Sequence, residues 1–555
     1  MKINIKISLL LLTTFVIGVS CKKELNVGNP NQPTLEANVT TDDGLIALTA
    51  GAVYTNGIAN GTLGWLGNSY LSLPYGYSEL LGDMISAEAS NQIVNIINFP
   101  EYYILDDGTR KDADSKMRTV VRTNNTRSGS SQGNNPFLYM WTSMYAMNNA
   151  LNTALSKVDV VAYSGNEETK KKTIKAFCYF WKGWAYSQVG SWYYAGIIND
   201  QPSATNGDYK SFTDIIAESD RNLKNSADLL AGLGSGDDTY TSVLGKLIPS
   251  FCQVGKGAVL TPDEWKRNIN TLLARNILVN RLSPFVNDNP SATITGSSMP
   301  VISDADWTEI KNLTGDGISS SDHVFTARSA DVNGFTTAAG GNVSAQSTGP
   351  AGSATFKIGE RFIQNFKPLD KRLINNFDHQ NYGMNSSFST RWFQVDGGHG
   401  DNGVRVYGNK SVGEYESYLA GTYEENALML AEAKIRTGDI AGGVALIDAV
   451  RTYQGAGLPA LSTSLTQAQA MKELTMERRV SLVYRGLSFF DSRRWGWIYD
   501  ISKGGGVYNQ VIVEGSTVNT KATINYNFLD YWDVPADESD LNPPSAGSVT
   551  IKNPN

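Results

Sequence analysis

The segment most informative about the architecture is MKELTMERRVSLVYRGLSFFDSRRWGW, at residues 471–497. Thr466, with Gln469 three residues on, has the pattern of a helix-capping box, and it predicts a helix that ends near Gly486. The charges within this segment have two interpretations: a charged binding or catalytic site, or an internal network in which arginines pair with carboxylates and hold the last helix on the body. We favour the network, whose predicted members are Glu477, Arg478, Arg479, Gly486, Asp491, Arg493, Arg494 and Trp495.

Upstream of this segment the sequence predicts paired helices. TYEENALMLAEAKIRTGDIAGGVALIDAVR, at 422–451, reads as a helix, a Gly438-Asp439 turn and a second helix, which resembles a tetratricopeptide unit. Further amphipathic helices are predicted at 137–156, 168–189, 211–230 and 261–281. The chain therefore has about four candidate helix pairs and is expected to be mainly α.

The composition changes between 283 and 420, where Gly-, Ser- and Thr-rich loops separate short segments with a strand-like pattern. Such irregular chain within a compact domain is often functional. Segments 457–465 and 503–525 also read as loops or hairpins. We expect a single domain over 41–555, with a helical scaffold at 41–281 and 420–500, a loop-rich insertion at 283–420, and a tail at 501–555.

The N-terminal region predicts export and lipid anchoring. Residues 1–20 have the charged and apolar regions of a signal peptide, and Gly18-Val19-Ser20-Cys21 is similar to a bacterial lipobox. Cleavage would leave Cys21 as a lipidated N-terminus, followed by a polar tether at 21–40. The alternative is an ordinary signal peptide with a chance cysteine.

Charge and cysteine content narrow the class of protein. The 555 residues carry a formal net charge of −7, and loss of the signal peptide with Lys2 and Lys6 makes it −9. A nucleic-acid-binding protein needs a basic face, so that class is disfavoured. Cys178 and Cys252 allow at most one disulfide, and two buried thiols are the favoured interpretation.

Nothing in the sequence predicts catalysis, a metal or a cofactor. The histidines, His323, His379 and His399, lie in unrelated loop contexts, and no metalloprotease, nucleophile-elbow or phosphate-loop motif occurs. The stretch 396–403, DGGHGDNG, could supply oxygen ligands to calcium but lacks EF-hand spacing, so a polar turn is favoured. We expect a protein that is not an enzyme.

The combination of these motifs resembles the SusD/RagB family. The charged segment, the alanine-rich LMLAEAKIRTGD helix at 428–439, the Asn-Pro segment after Cys21 and YWDVPADESDLNP at 531–543 agree with that family in order and spacing. The resemblance implies a SusD-like fold and a lipoprotein of the outer membrane that faces the cell exterior. It further implies capture of an oligosaccharide and its delivery to a SusC-like TonB-dependent transporter.

Two alternative functions remain: a RagB-like protein that takes up peptides, and a helical-repeat surface scaffold that binds protein.

The candidate ligand residues are aromatic residues outside the helical stripes, because sugars stack on exposed rings flanked by amide or charged side chains. The family's glycan site draws on the segments that correspond to 88–103 and 330–395. The candidates are Trp392, Arg391, Trp65, Tyr102, Tyr103, Asn91 and Trp307, and each aromatic has burial in the core as its alternative.

Overall fold

The computed structural model describes residues 39–58, 73–87, 92–127, 135–284, 294–328, 343–350, 356–380, 390–411 and 413–555. The predicted mainly α fold is confirmed. The helices are α1 (Asp42–Gly51), α2 (Leu73–Leu81), α3 (Gln92–Ile96), α4 (Met117–Thr123), α5 (Pro136–Val158), α6 (Glu167–Trp192), α7 (Phe212–Leu230), α8 (Asp238–Leu247), α9 (Pro262–Val279), α10 (Asp304–Gly315), α11 (Val343–Gln346), α12 (Glu360–Ile363), α13 (Lys371–Asn376), α14 (Tyr423–Arg436), α15 (Ile440–Tyr453), α16 (Gln467–Ser481), α17 (Ser488–Arg494) and α18 (Ala536–Ser539).

The strands are short and form small antiparallel sheets. They are β1 (Ile85–Ala87), β2 (Tyr102–Ile104), β3 (Arg110–Asp112), β4 (Ala195–Ile197), β5 (Tyr209–Ser211), β6 (Thr326–Arg328), β7 (Phe356–Ile358), β8 (Phe377–His379), β9 (Trp392–Gln394), β10 (Glu416–Tyr418), β11 (Val507–Glu514) and β12 (Thr517–Asn525). One sheet has four strands, in the order β11-β12-β2-β3, and the others pair β1 with β7, β4 with β5, β6 with β10 and β8 with β9.

Long helices pack closely in the first half of the chain. α6 and α7 approach so closely that a Cβ on Gly183 would lie 2.7 Å from the Leu223 side chain, and one on Gly190 would lie 2.9 Å from Ile216. Only glycine permits this spacing between the two helices without repacking. The predicted helices at 137–156 and 168–189 thus exist and lie within the scaffold.

The predicted turn and caps of the later helices are present, with one error of boundary. Gly438 ends α14 with φ +94°, and the Asp439 side chain caps α15 by accepting the Gly442 amide. Thr466 and Gln469 form the predicted capping box on α16. That helix ends at Ser481 rather than near Gly486, because a turn with left-handed Tyr484, at φ +59°, comes first.

The range predicted to be loop-rich also contains a helix. Within 283–420, α10 packs on α9 and α14 through Trp307 and Ile310, which join a small core with Leu278 and Met429. The expectation that Trp307 lies outside a helical stripe is therefore wrong. Polar residues on the opposite face of α10 hid the periodicity, since the segment DADWTEIKNLTG has few apolar positions.

Tryptophans and buried thiols fill the main core. Trp181, Trp184 and Trp265 are fully buried. Trp181 meets Trp184 and Phe180 edge to face, and Trp265 meets Phe180 and Phe325 in the same way. Cys178 and Cys252 are buried and free, and burial raises the pKa of each thiol to about 12. In the described part of the chain, no helix combines the length and the apolarity needed to cross a membrane.

The charged segment of the C-terminal helices lies inside the fold. The Glu477 carboxylate accepts bonds from Arg372 Nη1 at 2.6 Å and from Arg451 Nε at 2.8 Å. Those arginines lie on α13 and α15, so one carboxylate on α16 links three helices. Burial opposes ionisation of Glu477, but the two guanidinium groups lower the pKa of its carboxyl below the usual value.

A second buried chain of charges joins α14, α16 and α17. Arg478 Nε donates to Asp491 Oδ2 at 2.9 Å, and Arg494 Nε donates to Asp491 Oδ1 at 2.7 Å. Arg494 also binds Glu432 on α14 through two parallel bonds of 2.8 and 2.7 Å. The charges thus pair with one another and are shielded from solvent.

Two other arginines of the segment, Arg493 and Arg479, bind backbone carbonyls, whereas Arg485 lies over the Tyr418 ring. Arg493 donates to the carbonyls of Ser191, Val279 and Asp530 at 2.7 to 2.8 Å. Arg479 donates to the carbonyl of Gly82 at 2.9 Å. Such bonds satisfy carbonyls at helix ends that lack partners within the helix, so each arginine joins segments far apart in sequence. Trp495 is buried beside Arg494, and Gly486 has φ +70° against the Tyr75 ring.

Candidate functional site

Two of the predicted ligand residues lie at the start of β9: Trp392 is its first residue, and Arg391 immediately precedes it. His379 pairs with Trp392, and Phe377 with Gln394, across the two antiparallel strands. Phe377 is buried against Phe362, and Gln394 accepts a bond of 2.7 Å from Tyr484. Residues two apart on a strand face the same side of a sheet. The buried pair Phe377 and Gln394 therefore anchors the next pair on that side, His379 and Trp392, which we call the outer pair.

The outer pair has solvent-accessible rings. The His379 and Trp392 ring centroids are 5.2 Å apart with their planes at 85°, an edge-to-face contact. His379 is exposed and Trp392 is half-buried. Part of the indole is therefore available to a ligand while its orientation is fixed by the neighbouring ring.

Arg391 is held in place by a buried carboxylate. Its Nε and Nη2 donate to Glu360 Oε1 and Oε2, each at 3.0 Å, and its backbone amide donates to Oε1 at 2.6 Å. The Glu360 side chain is 2% exposed and that of Arg391 is 30% exposed. The hydrogen bonds with Glu360 raise the pKa of the Arg391 guanidinium. The result is a rigid cation, partly open to solvent, next to Trp392.

A polar cluster lies on the other face of β8. His399 Nε2 lies 3.1 Å from Asp378 Oδ1, and both side chains are nearly half-exposed. The backbone amide of His399 donates to the Asn375 carbonyl at 2.8 Å, and Asp396 Oδ1 accepts the Lys410 amide at 2.7 Å. Segment 396–403 is thus a turn packed against the end of α13. No group of three or more metal-binding side chains occurs among the residues that the structure describes.

The other predicted ligand residues that the structure describes, Tyr102, Tyr103 and Trp307, do not join this site. Tyr103 is 4% exposed and donates its hydroxyl to Glu514, and Trp307 is also 4% exposed. Both rings are therefore covered, contrary to the expectation, and offer no face for stacking. Tyr102 is half-buried on β2, in a different sheet, with the Arg110 guanidinium 3.7 Å from its ring centre. Trp65 and Asn91, like Cys21, lie outside the described residues.

His379, Asp378 and Glu360 are site residues that the sequence does not predict. His379 was assigned to an unrelated loop context, whereas it pairs directly with Trp392. The segments FDH (Phe377–His379) and WFQ (Trp392–Gln394) have a weak strand pattern. The sequence does not show that these two segments, which residues 380–391 separate, pair with each other. Glu360 carried no sequence signal, because its role depends on burial beside Arg391.

A SusD family model matches residues 303–545, a region that contains both the β8–β9 pair and the charged segment. The chain has the fold of a SusD superfamily protein from Bacteroides vulgatus, with a TM-score of 0.55, 12% identity and coverage of 92% of this chain and 98% of the other. A second SusD superfamily protein from that organism gives a TM-score of 0.53 at 14% identity, with 90% of this chain and 97% of the other covered.

A third structure, a SusD-like carbohydrate binding protein from B. vulgatus, gives a TM-score of 0.51 at 13% identity, with 90% of this chain and 96% of the other covered. At such identities the likeness concerns the fold alone. None of the curated proteins matches the chain. The chain therefore has the predicted SusD-like fold, and its residues 303–545 match the SusD family.

Proposed function

We propose that the protein is a lipid-anchored binding protein of the outer-membrane surface that captures an oligosaccharide and delivers it to a SusC-like TonB-dependent transporter. The observation that carries the ligand class is the half-exposed Trp392 ring, braced by His379 and flanked by the fixed Arg391 guanidinium. A flat apolar ring beside directional donors suits the C–H face and hydroxyls of a sugar.

Two further observations support a sugar ligand. The matched family region includes this ring, and a structure of the same fold belongs to a SusD-like carbohydrate binding protein. Binding without cleavage is proposed because the sequence carries no catalytic motif. The lipid anchor at Cys21 and the transporter partner rest on the lipobox-like segment and on the family resemblance.

The test is calorimetry of the mature chain against a panel of oligosaccharides and peptides, followed by chromatography of each mixture after long incubation. Ring stacking contributes about 1 kcal/mol per well-placed contact, and ordering the ligand offsets part of it. The expected Kd is therefore on the order of micromolar to millimolar. Shortened products from contaminant-free protein would contradict binding without cleavage.

The same panel separates the alternatives. Binding of peptides alone would assign the protein to peptide uptake, as in RagB-like members. For the partner, the membrane form should co-purify with a TonB-dependent transporter encoded beside it. Co-purification with an unrelated surface protein, together with failure of every oligosaccharide and peptide, would contradict the proposal and favour the scaffold alternative.

A further inference from the structure

A groove of about 410 Å³ lies between the segment after α12, helix α16 and strand β11. Its apolar side is formed by Trp497, Tyr508 and Met476, and its polar side includes Asn365, Asn509 and Lys472. It contains none of the residues of the β8–β9 site. Its volume lies within the range that ligand pockets usually have.

Three contacts hold Trp497 in place. Its backbone amide donates to the Ser492 carbonyl at 2.9 Å, its ring centre is 5.0 Å from that of Trp495, and the Arg479 guanidinium carbon lies over the ring at 5.5 Å. The indole is nevertheless only half-buried. Tyr508 is 45% exposed. Two accessible rings therefore line one groove, and one of them is held rigidly.

The polar side is built by an irregular strand. The register of β11 against β12 shifts on both sides of Gln510, and Asn509 has a left-handed backbone with φ +56°. Irregularities of this kind re-aim side chains and occur often beside functional sites. Gln364 fixes the strand, because its Nε2 donates to the Asn509 carbonyl at 3.3 Å and its Oε1 accepts the Val511 amide at 2.9 Å.

The chemistry of the groove suits a hydroxyl-rich ligand. The Asn509 amide offers a donor and an acceptor together, as vicinal hydroxyls require, and the rings supply flat apolar faces. Asn365 Nδ2 already donates to the Arg361 and Phe362 carbonyls, so this side chain offers its Oδ1 as an acceptor. Lys472 is exposed and adds ammonium donors. We propose that this groove is a second saccharide-binding site, in which sugar rings pack on Trp497 and Tyr508 while Asn365, Asn509 and Lys472 bind hydroxyls. The ligand class rests on the proposed function, whereas the location of the site does not.

Tyr508 is the residue on which to test this site, because it is exposed and its hydroxyl makes only a long contact of 3.4 Å to the Gly505 carbonyl. The experiment titrates saccharides into the intact mature chain and into Tyr508→Ala, Tyr508→Phe, Trp392→Ala and the Trp392→Ala/Tyr508→Ala double variant. Tyr453→Ala, at another exposed tyrosine, is the matched control, and melting temperatures are recorded for all.

We expect Trp392→Ala to retain a saccharide-binding event that Tyr508→Ala weakens about fivefold, the loss of one stacking contact. Tyr508→Phe should keep that event because it keeps the ring, and Tyr453→Ala should leave it unchanged. The binding should change little between low and high salt, since stacking and neutral hydrogen bonds are weakly screened.

The outcomes separate the two proposals. Loss of all saccharide binding in Trp392→Ala, with no effect of Tyr508→Ala on the wild-type background, would overturn the second site and leave the proposed function standing. Equal weakening by Tyr453→Ala would overturn it too, because the effect would then not belong to the groove. Saccharide binding that only Tyr508→Ala removes would support the groove and contradict the site at Trp392.

Discussion

Arg494→Ala tests whether the buried charges of α14, α16 and α17 stabilise the fold or serve ligand binding. Burial alone would raise the pKa of the Glu432 carboxyl, but the Arg494 charge and its two bonds lower it from 4.5 to about 2. A lowering of that size corresponds to about 3 kcal/mol of favourable interaction at neutral pH. The variant leaves Glu432 buried, with Arg436 at 3.6 Å as the remaining cation.

We therefore expect Arg494→Ala to lower the free energy of unfolding by about 3–5 kcal/mol, the usual cost of removing one partner of a buried pair. Such a loss is a large part of a typical folding stability of about 5–15 kcal/mol. The assay is urea unfolding at pH 7 followed by circular dichroism, with saccharide affinity measured on the folded fraction. Arg494→Lys keeps the charge but cannot form the paired bonds, so its loss should be intermediate.

A double-mutant cycle with Glu432→Gln separates the pair from its surroundings. The two changes together should cost less than the sum of the single costs, by about 2 kcal/mol or more, because a neutral amide no longer needs the cation. Native stability of Arg494→Ala combined with lost saccharide binding would refute the reasoning and assign these charges to the ligand site.

Three further predictions concern separate parts of the molecule. Burial raises the pKa of Glu79 from 4.5 to about 7, so between these pH values the folded state retains a proton that the unfolded state loses. The free energy of unfolding should therefore be highest, with respect to this group, below pH 4.5 and fall by about 3 kcal/mol as the pH rises to 7. Glu79→Gln should flatten this trend in urea unfolding between pH 4 and 8, and an unchanged slope would contradict it. Trp392→Ala should weaken saccharide binding about fivefold in calorimetry on folded protein and lower the melting temperature, because the half-buried ring packs against the core, whereas Trp392→Phe should retain most of the affinity. Cys21→Ser should move the protein from the membrane to the soluble fraction, and unchanged association without lipid label on either form would contradict the predicted anchor.

Helices with strong local signals were predictable from the sequence. α6 and α9 carry apolar periodicity over several turns, and Asp439 and Thr466 cap their helices as the local sequence indicates. α10 was missed because two large apolar residues, Trp307 and Ile310, carry its packing and the rest of the segment is polar. Local sequence patterns therefore predict helices that pack along their whole length, such as α6 and α9. They do not predict a helix such as α10, which packs through a few residues.

The candidate site was predictable only in part, because it depends on pairings between distant residues. Arg391 and Trp392 were identified as a charge beside an aromatic ring, which is a local pattern. Their partners, Glu360 and His379, come from separate elements and are selected by burial and by strand register. Tyr103 looked equally suitable in sequence, but its position on a central strand covers the ring. Exposure is a property of the folded molecule that composition does not encode.

The four-stranded sheet also has a consequence for the order in which the protein acquires its structure. β2 pairs with β12, so Tyr102–Ile104 meets Thr523–Asn525, and Arg122 on α4 binds Asp533 at 2.9 Å. Ribosomal synthesis runs from the N-terminus, and Arg122 and Asp533 are 411 residues apart, so about three-quarters of the chain must still be made after β2 and α4 before these partners exist. A nascent chain that lacks residues 507–533 cannot complete this sheet, so the β2 edge stays unpaired until the last part of the chain has been made.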